Sequence, residues 1–427
     1  MSEFNRSRLL LPMVAGIGAL SLMLAGCAAE SDGPAETTEE QSTTTAPAVD
    51  SVQIGLISPL SGPFADNGLQ ARLGTELCVN QINEAGGIQS LGGAQIELII
   101  QDTGPAAPAD VANQLQSMID KNELSAVIGA WASSYTLAAI PVAEENKVPM
   151  VTESFADDIV KQGYKYIFKL PASSALMGSM ATEAILELAA EQGIEIRTAA
   201  VVADNTSSAQ VSAEAAKSRF ESLGVDVPVS EFFTPGLTTA DSIAIKVLAS
   251  DPQVIFVQGS LGDMAILQRA FRDKGYAGPL LGAGSGFVTV DYAKTIGIEE
   301  TNGTFSSAGW NWDMPGEAAA KFKEDFVAAY PEFEFPGQEA GEDCAAVYII
   351  AQALEDAGSA DSVAVRDAIS NVNITEGPAT MLASGKVSFD ETGMLMDTTP
   401  VIIQWQNGVP RTVFPKSIAS TDPIALQ

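Results

Sequence analysis

The sequence predicts an α/β protein of two successive lobes, each a parallel sheet covered by helices. Three observations carry that reading. From residue 52 onward, apolar runs of strand length alternate with stretches of helical length. The alternation passes "YIFKLP" at 166–171 and then resumes. Late in the chain, two long helical stretches follow one another with no strand between them. Strands that alternate with helices pair in parallel, because a crossover helix brings the chain back to the same end of the sheet. There are more such strands than one compact unit of this kind carries, so two lobes is the economical solution.

The elements justify this in order. The runs "VQIGLISPL", "AQIELII", "SAVIGA" and "VPMVTES" read as the strands of the first lobe. After the first of them, "DNGLQARLGTELCVNQINEAG" reads as a helix: Leu69, Leu73, Leu77 and Val79 to Ile82 recur near helical spacing, and the glycines end it. "TAAVVAD", "VSEFFT", "VIFVQG" and "PLLGAG" repeat the pattern for the second lobe. The stretches "GEAAAKFKEDFVAAYP" and "AGEDCAAVYIIAQALEDAG" are the late helices, expected to return to the first lobe. The tail "KVSFDETGMLMDTTPVIIQWQNGVPRTVF" reads as strands and turns, with Asn407-Gly408 a hairpin signal. A chain that returns in this way crosses between lobes several times, which makes a hinge and a cleft.

Composition narrows the function. The 427 residues hold 22 basic and 54 acidic side chains, a net charge of −32, and no histidine. Such a surface repels a phosphate backbone, so no nucleic-acid partner is expected. Without histidine there is no Ser-His-Asp or Cys-His system and no histidine metal site. An enzyme is disfavoured, and no cofactor or metal is expected. A hydrolase built on Ser133 or Ser285 would need a nearby lysine, and none follows Ser133 at short spacing.

The start of the chain reads as a targeting segment. Arg6 and Arg8 precede "LLLPMVAGIGALSLMLAG", and Cys27 follows. That is a secretory leader over 1–26. "LAGC" at 24–27 resembles a bacterial lipobox, which implies a lipid on Cys27 and attachment to the outer face of the cell membrane. Residues 27–50 are rich in Thr, Glu, Ser, Pro and Ala and read as a disordered tether. Two cysteines then remain, Cys78 and Cys344, either a disulfide or two separate buried thiols.

In open α/β sheets, ligands sit beyond the carboxyl ends of strands, where helix N-termini expose N–H groups. The loops there are "SPLSGPFADNG", "GAWASS", "TESFADD", "ADNTSS", "QGSLGD" and "GAGSGF", rich in glycine and hydroxyls and poor in cations. They suit a small polar group held by hydrogen bonds. "GAGSGF" lacks the context of a phosphate-binding fingerprint. Trp131 and Ser133, in "VIGAWASSYTLAAI", raise the sharpest question: why a buried strand should end in a tryptophan beside two serines.

These loops, with "IGLISPLSGPFADNGLQARLGTEL" leading to "INEAGGI" at 54–88, resemble the solute-binding proteins of ABC importers. The similar branch is the leucine/isoleucine/valine-binding type, a type I periplasmic-binding fold, and the resemblance spans about 52–415. It implies two lobes joined by three crossovers, closing on an amino acid and docking on a permease with its ATPase subunits. The lobes would be 51–171 with about 309–385, and 172–308 with about 386–420. It implies a monomer. A ligand-sensing receptor module of the same fold is the rival reading.

The resemblance places the ligand carboxylate at Ser133, beside Ser134, and an apolar wall at Trp131. The next binding turn falls on Ser154, Phe155 and Ala156. Several family features are altered: Asn67 stands for a first-loop aromatic, Ser208 begins where an aromatic-glycine pair is common, and Ser260 replaces a cleft aromatic. The acid that pairs with the ligand's ammonium falls at Gly284, beside Ser285. Glu342, near a position that is often aromatic, is a candidate replacement, as are Glu153, Asp157 and Asp343. Urea, short amides and small aromatic carboxylates therefore stand as alternative ligands. Ser133 and Ser208 could instead cap helices. Trp310 and Trp312 read as packing at the second crossover, and Asp157 and Asp158 as solvated acids. In the fold implied, Cys78 and Cys344 belong to helices of one lobe, and a disulfide is expected.

Overall fold

The computed structural model describes residues 50–426, apart from the side chain of Ser285. The expected leader, Cys27 and all but the end of the tether fall outside the described residues. No helix among the described residues is long and apolar enough to cross a membrane.

The first sheet is built from β1 (Ser51–Ser58), β2 (Gln95–Asp102), β3 (Leu124–Gly129), β4 (Met150–Thr152) and β5 (Ile167–Lys169), with α1 (Ala65–Glu84), α2 (Pro108–Lys121) and α3 (Ser133–Asn146) between them. Its order is β2-β1-β3-β4-β5, and every pairing is parallel. Each residue of β3 is buried, as a strand covered on both faces requires.

The second lobe runs through α4 (Ser174–Glu191), β6 (Thr198–Asp204), α5 (Ser207–Ser222), β7 (Asp226–Phe233), α6 (Asp241–Leu248), β8 (Val254–Gln258), α7 (Leu261–Asp273), β9 (Leu280–Ala283), α8 (Tyr292–Ile296), α9 (Ile298–Thr301) and β10 (Phe305–Ala308). The chain then gives α10 (Glu317–Ala329), α11 (Gln338–Ala357) and α12 (Ser362–Asn371), and ends in β11 (Val401–Gln406) and β12 (Val409–Phe414). The second sheet reads β12-β11-β10-β9-β8-β6-β7.

The hairpin signalled by Asn407-Gly408 lies on the edge of this otherwise parallel sheet. β11 is antiparallel to both β10 and β12. The reason is local: Asn407 and Gly408 have φ of 54° and 83°, the doubly left-handed turn that fits a two-residue hairpin. A hairpin laid on the edge of a parallel sheet must contribute antiparallel strands.

The late helices do return to the first lobe. α11 lies along α1, where a Cβ on Gly74 would run into the backbone of Ala340. Cys78 of α1 and Cys344 of α11 are disulfide-bonded, with Cα atoms 5.4 Å apart. The chain passes between the sheets after β5, after β10, and before β11. The first and third passages are knit together: Lys169 N–H donates to Gly393 O at 2.8 Å, and Leu395 N–H to Lys169 O at 2.9 Å. Trp310, beside the second passage, is buried and donates its indole N–H to Met381 O at 2.9 Å. Trp312 stacks on Phe335 and donates to Pro410 O, so both indoles serve packing.

Candidate ligand-binding site

β3 ends at Gly129, and two residues later Trp131 sits in the left-handed region at φ 58°. A bulky residue there costs about 1–3 kcal/mol unless its surroundings hold it. They do so on three sides. The indole Nε1 donates to Glu339 Oε1 at 3.1 Å, the Phe64 ring lies 4.9 Å away, and the carbonyl accepts from Ser154 Oγ at 2.6 Å. The strand ends on tryptophan because that side chain is tied to the start of α11. Asn67 shares the tie, donating to the same Glu339 oxygen at 2.7 Å. The altered first-loop position is thus the partner of a buried acid.

Ser133 is the first residue of α3, and Ala132 before it makes no side-chain cap. Capping is therefore not its role. Its Oγ accepts from Ala156 N–H at 3.1 Å, which fixes the oxygen and leaves the hydroxyl proton to donate elsewhere. The first intrahelical donors are the N–H groups of Tyr135 and Thr136, so those of Ser133 and Ser134 stay available at the positive end of the helix. Ser133 is buried and Ser134 exposed. Ser154 is spent internally: its hydroxyl meets both Trp131 O and Thr136 Oγ1, each at 2.6 Å.

Across the cleft, α3 packs against α5 of the second lobe. Ser208, half-buried, is the second residue of α5 and not its cap; Thr206 precedes the helix, and its hydroxyl is held by Asp204. Ser260 departs from its expected role, because it caps α7, accepting from Asp263 N–H at 3.3 Å and donating to Asp263 Oδ2 at 2.9 Å. Phe155 leans across the cleft toward Gly284 and packs with the core of the second lobe. Ser285 opens a 3-10 turn with Gly286 N–H bonded to Gly259 O; its side chain lies outside the described residues.

Under this floor lies a group of buried acids: Glu153, Glu342 and Asp343, separate candidates in the sequence, are joined there by Glu339. Glu153, Glu339, Glu342 and Asp343 are each at most 2% exposed. Burial pushes Glu153 up to about 7, and burial together with neighbouring carboxyls raises Glu342 and Asp343. Glu339 is raised by burial and pulled back by its Asn67 and Trp131 bonds. One cation accompanies them: Lys169, fully buried, donates to Pro171 O at 2.6 Å and Ala172 O at 3.0 Å. Its ammonium is lowered to about 7 by burial, against the pull of Asp157 and Glu342. Asp157, expected in solvent, is half-buried and pairs with Lys161, whereas Asp158 is exposed. These acids come from loops and helices far apart in sequence, so no spacing motif announces them.

The chain matches the periplasmic binding protein family over residues 51–409. It is 28% identical over 375 residues to the leucine-, isoleucine-, valine-, threonine-, and alanine-binding protein of Pseudomonas aeruginosa, covering 86% of this chain and 92% of that one. Among solved structures it is similar to the leucine binding protein LivK of Thermotoga maritima, with a TM-score of 0.75 and 23% identity, covering 86% of this chain and all of that one. It is also similar to a solute binding protein of an ABC transporter from R. palustris in complex with benzoate, with a TM-score of 0.72 and 17% identity over 88% of this chain and 98% of the other. Two largely parallel sheets joined by three passages, a cleft between them and a match over nearly the whole described length lead to one conclusion: the chain belongs to the periplasmic binding protein family.

Proposed function

We propose that the protein captures a small polar solute, an amino acid or amino-acid-like compound, between its lobes and delivers it to an ABC permease and its ATPase subunits. In this reading it works as a monomer outside the cytoplasm, tethered through a lipid on Cys27. The observation that carries the proposal is Ser133. A buried hydroxyl whose oxygen is held by Ala156 N–H, at the uncapped start of α3, the helix that meets α5, is a donor set made for a carboxylate. Trp131 supplies the wall beside it. The acid absent at Gly284 is replaced by carboxyls of the first lobe, with Glu342 the leading candidate for the ammonium. The relatives' names favour branched-chain and small amino acids over urea or amides, while the benzoate complex keeps small aromatic acids as a second reading.

Thermal shift of the Cys27→Ser chain, refolded to remove carried-over solute, tests this against leucine, isoleucine, valine, threonine, alanine, benzoate and urea. A solute at about 1,000 times its Kd stabilises by about 4 kcal/mol. A shift with one of the amino acids supports the proposal. A shift with benzoate or urea alone, or with none of the panel, overturns the amino-acid reading.

A further inference from the structure

At the carboxyl ends of β8, β9 and β10, three residues of the second lobe stand side by side: Gln258, Ala283 and Ser307. Ser307 pairs with Ala283, and Gln258 lies two residues beyond Phe256 as Ala283 lies two beyond its partner Leu281. Phe256, Leu281 and Phe305 face α4 and α5 within one core. Side chains alternate along a strand, so Gln258, Ala283 and Ser307 face the same way. Ala283 belongs to that core, but its two neighbours are polar. Above this row α4 packs on β9 and β10, with Ser174 and Met177 in its first turn.

Ser174, Gln258 and Ser307 are at most 3% exposed, yet Ser174 Oγ, Gln258 Oε1 and Ser307 Oγ have no hydrogen-bond partner. Buried polar atoms are rarely left so, because each bears its whole desolvation cost. The side chain that fills this corner cannot answer them. It is Phe155 of the first lobe: its Cε2 lies 3.6 Å, and Met177 Cε 3.8 Å, from where a Cβ on Gly284 would stand. Gly284 follows Ala283 and donates its N–H to Ser307 O at 2.7 Å. The carbonyl of Phe155 accepts from Ser174 N–H at 3.1 Å, and the next residue, Ala156, donates to Ser133 Oγ. One residue thus spans the way from the bond at Ser133 to the corner under α4, and a free amino acid has the same reach.

We infer that Ser174, Gln258 and Ser307 are the second lobe's half of the solute site, and that they take an uncharged hydrogen-bonding group, a hydroxyl or a carboxamide. This rests on the capture of a solute at Ser133 and names the chemistry of that solute's other end. The two hydroxyls donate or accept, and the amide oxygen accepts. A hydroxyl or carboxamide brings both a donor and an acceptor to them. A methyl group leaves all three unpaired, a carboxylate sets a negative charge against Gln258 Oε1, and an ammonium is buried among neutral groups without a countercharge. Phe155 holds the place in the solute-free molecule, and its ring turns out as the solute's polar end comes in. A site built to hydrogen-bond a group rejects the isostere that lacks it, because its own polar atoms are then stranded.

Calorimetry on the refolded Cys27→Ser chain with two near-isosteric pairs, threonine against valine and asparagine against leucine, reads this directly. Threonine and asparagine should each bind about tenfold tighter than their partners, or more. In the double variant Ser174→Ala, Ser307→Ala that preference should fall below about threefold. The urea midpoint of the solute-free double variant should stay level or rise, since neither hydroxyl gives up a hydrogen bond. Valine and leucine binding as tightly as their partners overturns the subsite and leaves amino-acid capture standing. Binding by none of the four overturns both. A lowered midpoint in the double variant, read with no solute present, overturns the subsite alone, because the hydroxyls would then be bonded parts of the core.

Discussion

Trp131 and Glu339, 208 residues apart, are joined by an indole N–H donating to a buried carboxylate oxygen at 3.1 Å. The bond ties the loop after β3 to the first turn of α11, and so one wall of the cleft to a helix that the chain supplies only after its second crossing. Replacing Glu339 with Ala strands both Trp131 Nε1 and Asn67 Nδ2. Each stranded donor costs about 1–3 kcal/mol, and the strained backbone at Trp131 loses its anchor. For the two donors together, guanidinium unfolding should show a loss of about 2–6 kcal/mol, accompanied by a red shift in tryptophan emission.

Ser133→Ala separates support from binding. It removes the acceptor of Ala156 N–H, which should cost about 1–2 kcal/mol of stability. It also removes the donor offered to a carboxylate, and affinity for the amino acid found in the thermal panel should fall at least tenfold by calorimetry. Ser260→Ala, which breaks the α7 cap and the bond to Asp263 Oδ2, should cost about 1 kcal/mol of stability and leave affinity unchanged.

The Cys78–Cys344 bond closes a loop with a sequence separation of 266 residues and pins the helix that carries Glu342 and Asp343. Its removal by Cys78→Ser with Cys344→Ser should cost roughly 2–5 kcal/mol. Denaturation midpoints with and without reductant measure the same quantity on the unaltered chain.

Stability should depend on pH in two opposed arms. Glu153 is raised to about 7 by burial, so the folded chain holds its proton where the unfolded chain has lost it. That stability is complete below about 4.5 and is lost as pH climbs through 7. Lys169, lowered to about 7, works the other way: stability returns as pH rises from 7 toward the ordinary lysine value. Urea titrations from pH 4 to 10 should therefore show a shallow minimum near neutrality. Glu153→Gln should make the acid arm shallower, with the raised Glu342 and Asp343 keeping part of it, and leave the alkaline one.

Gly74→Ala tests the seam between α1 and α11. An added methyl meets Ala340 backbone, which cannot swing aside, and should cost about 1–3 kcal/mol in denaturant unfolding.

Alternation of strands and helices, the two lobes and the returning α11 were all legible in the chain, because burial on both faces of a parallel sheet writes apolar runs at regular intervals. The Asn407-Gly408 hairpin was legible too, since few residues accept φ above zero. Ser133 was visible as a serine at a strand-to-helix corner, and Cys78 with Cys344 as a lone pair. What tertiary structure alone decided is which polar groups meet. Asn67 finds Glu339, and Lys169 turns to the carbonyls of its own passage. These partners lie on separate elements and follow no period, so only the folded chain brings them together. Ser260 shows the converse: a hydroxyl in a promising loop is claimed by the nearest helix N-terminus, because a local cap forms before any distant partner can compete.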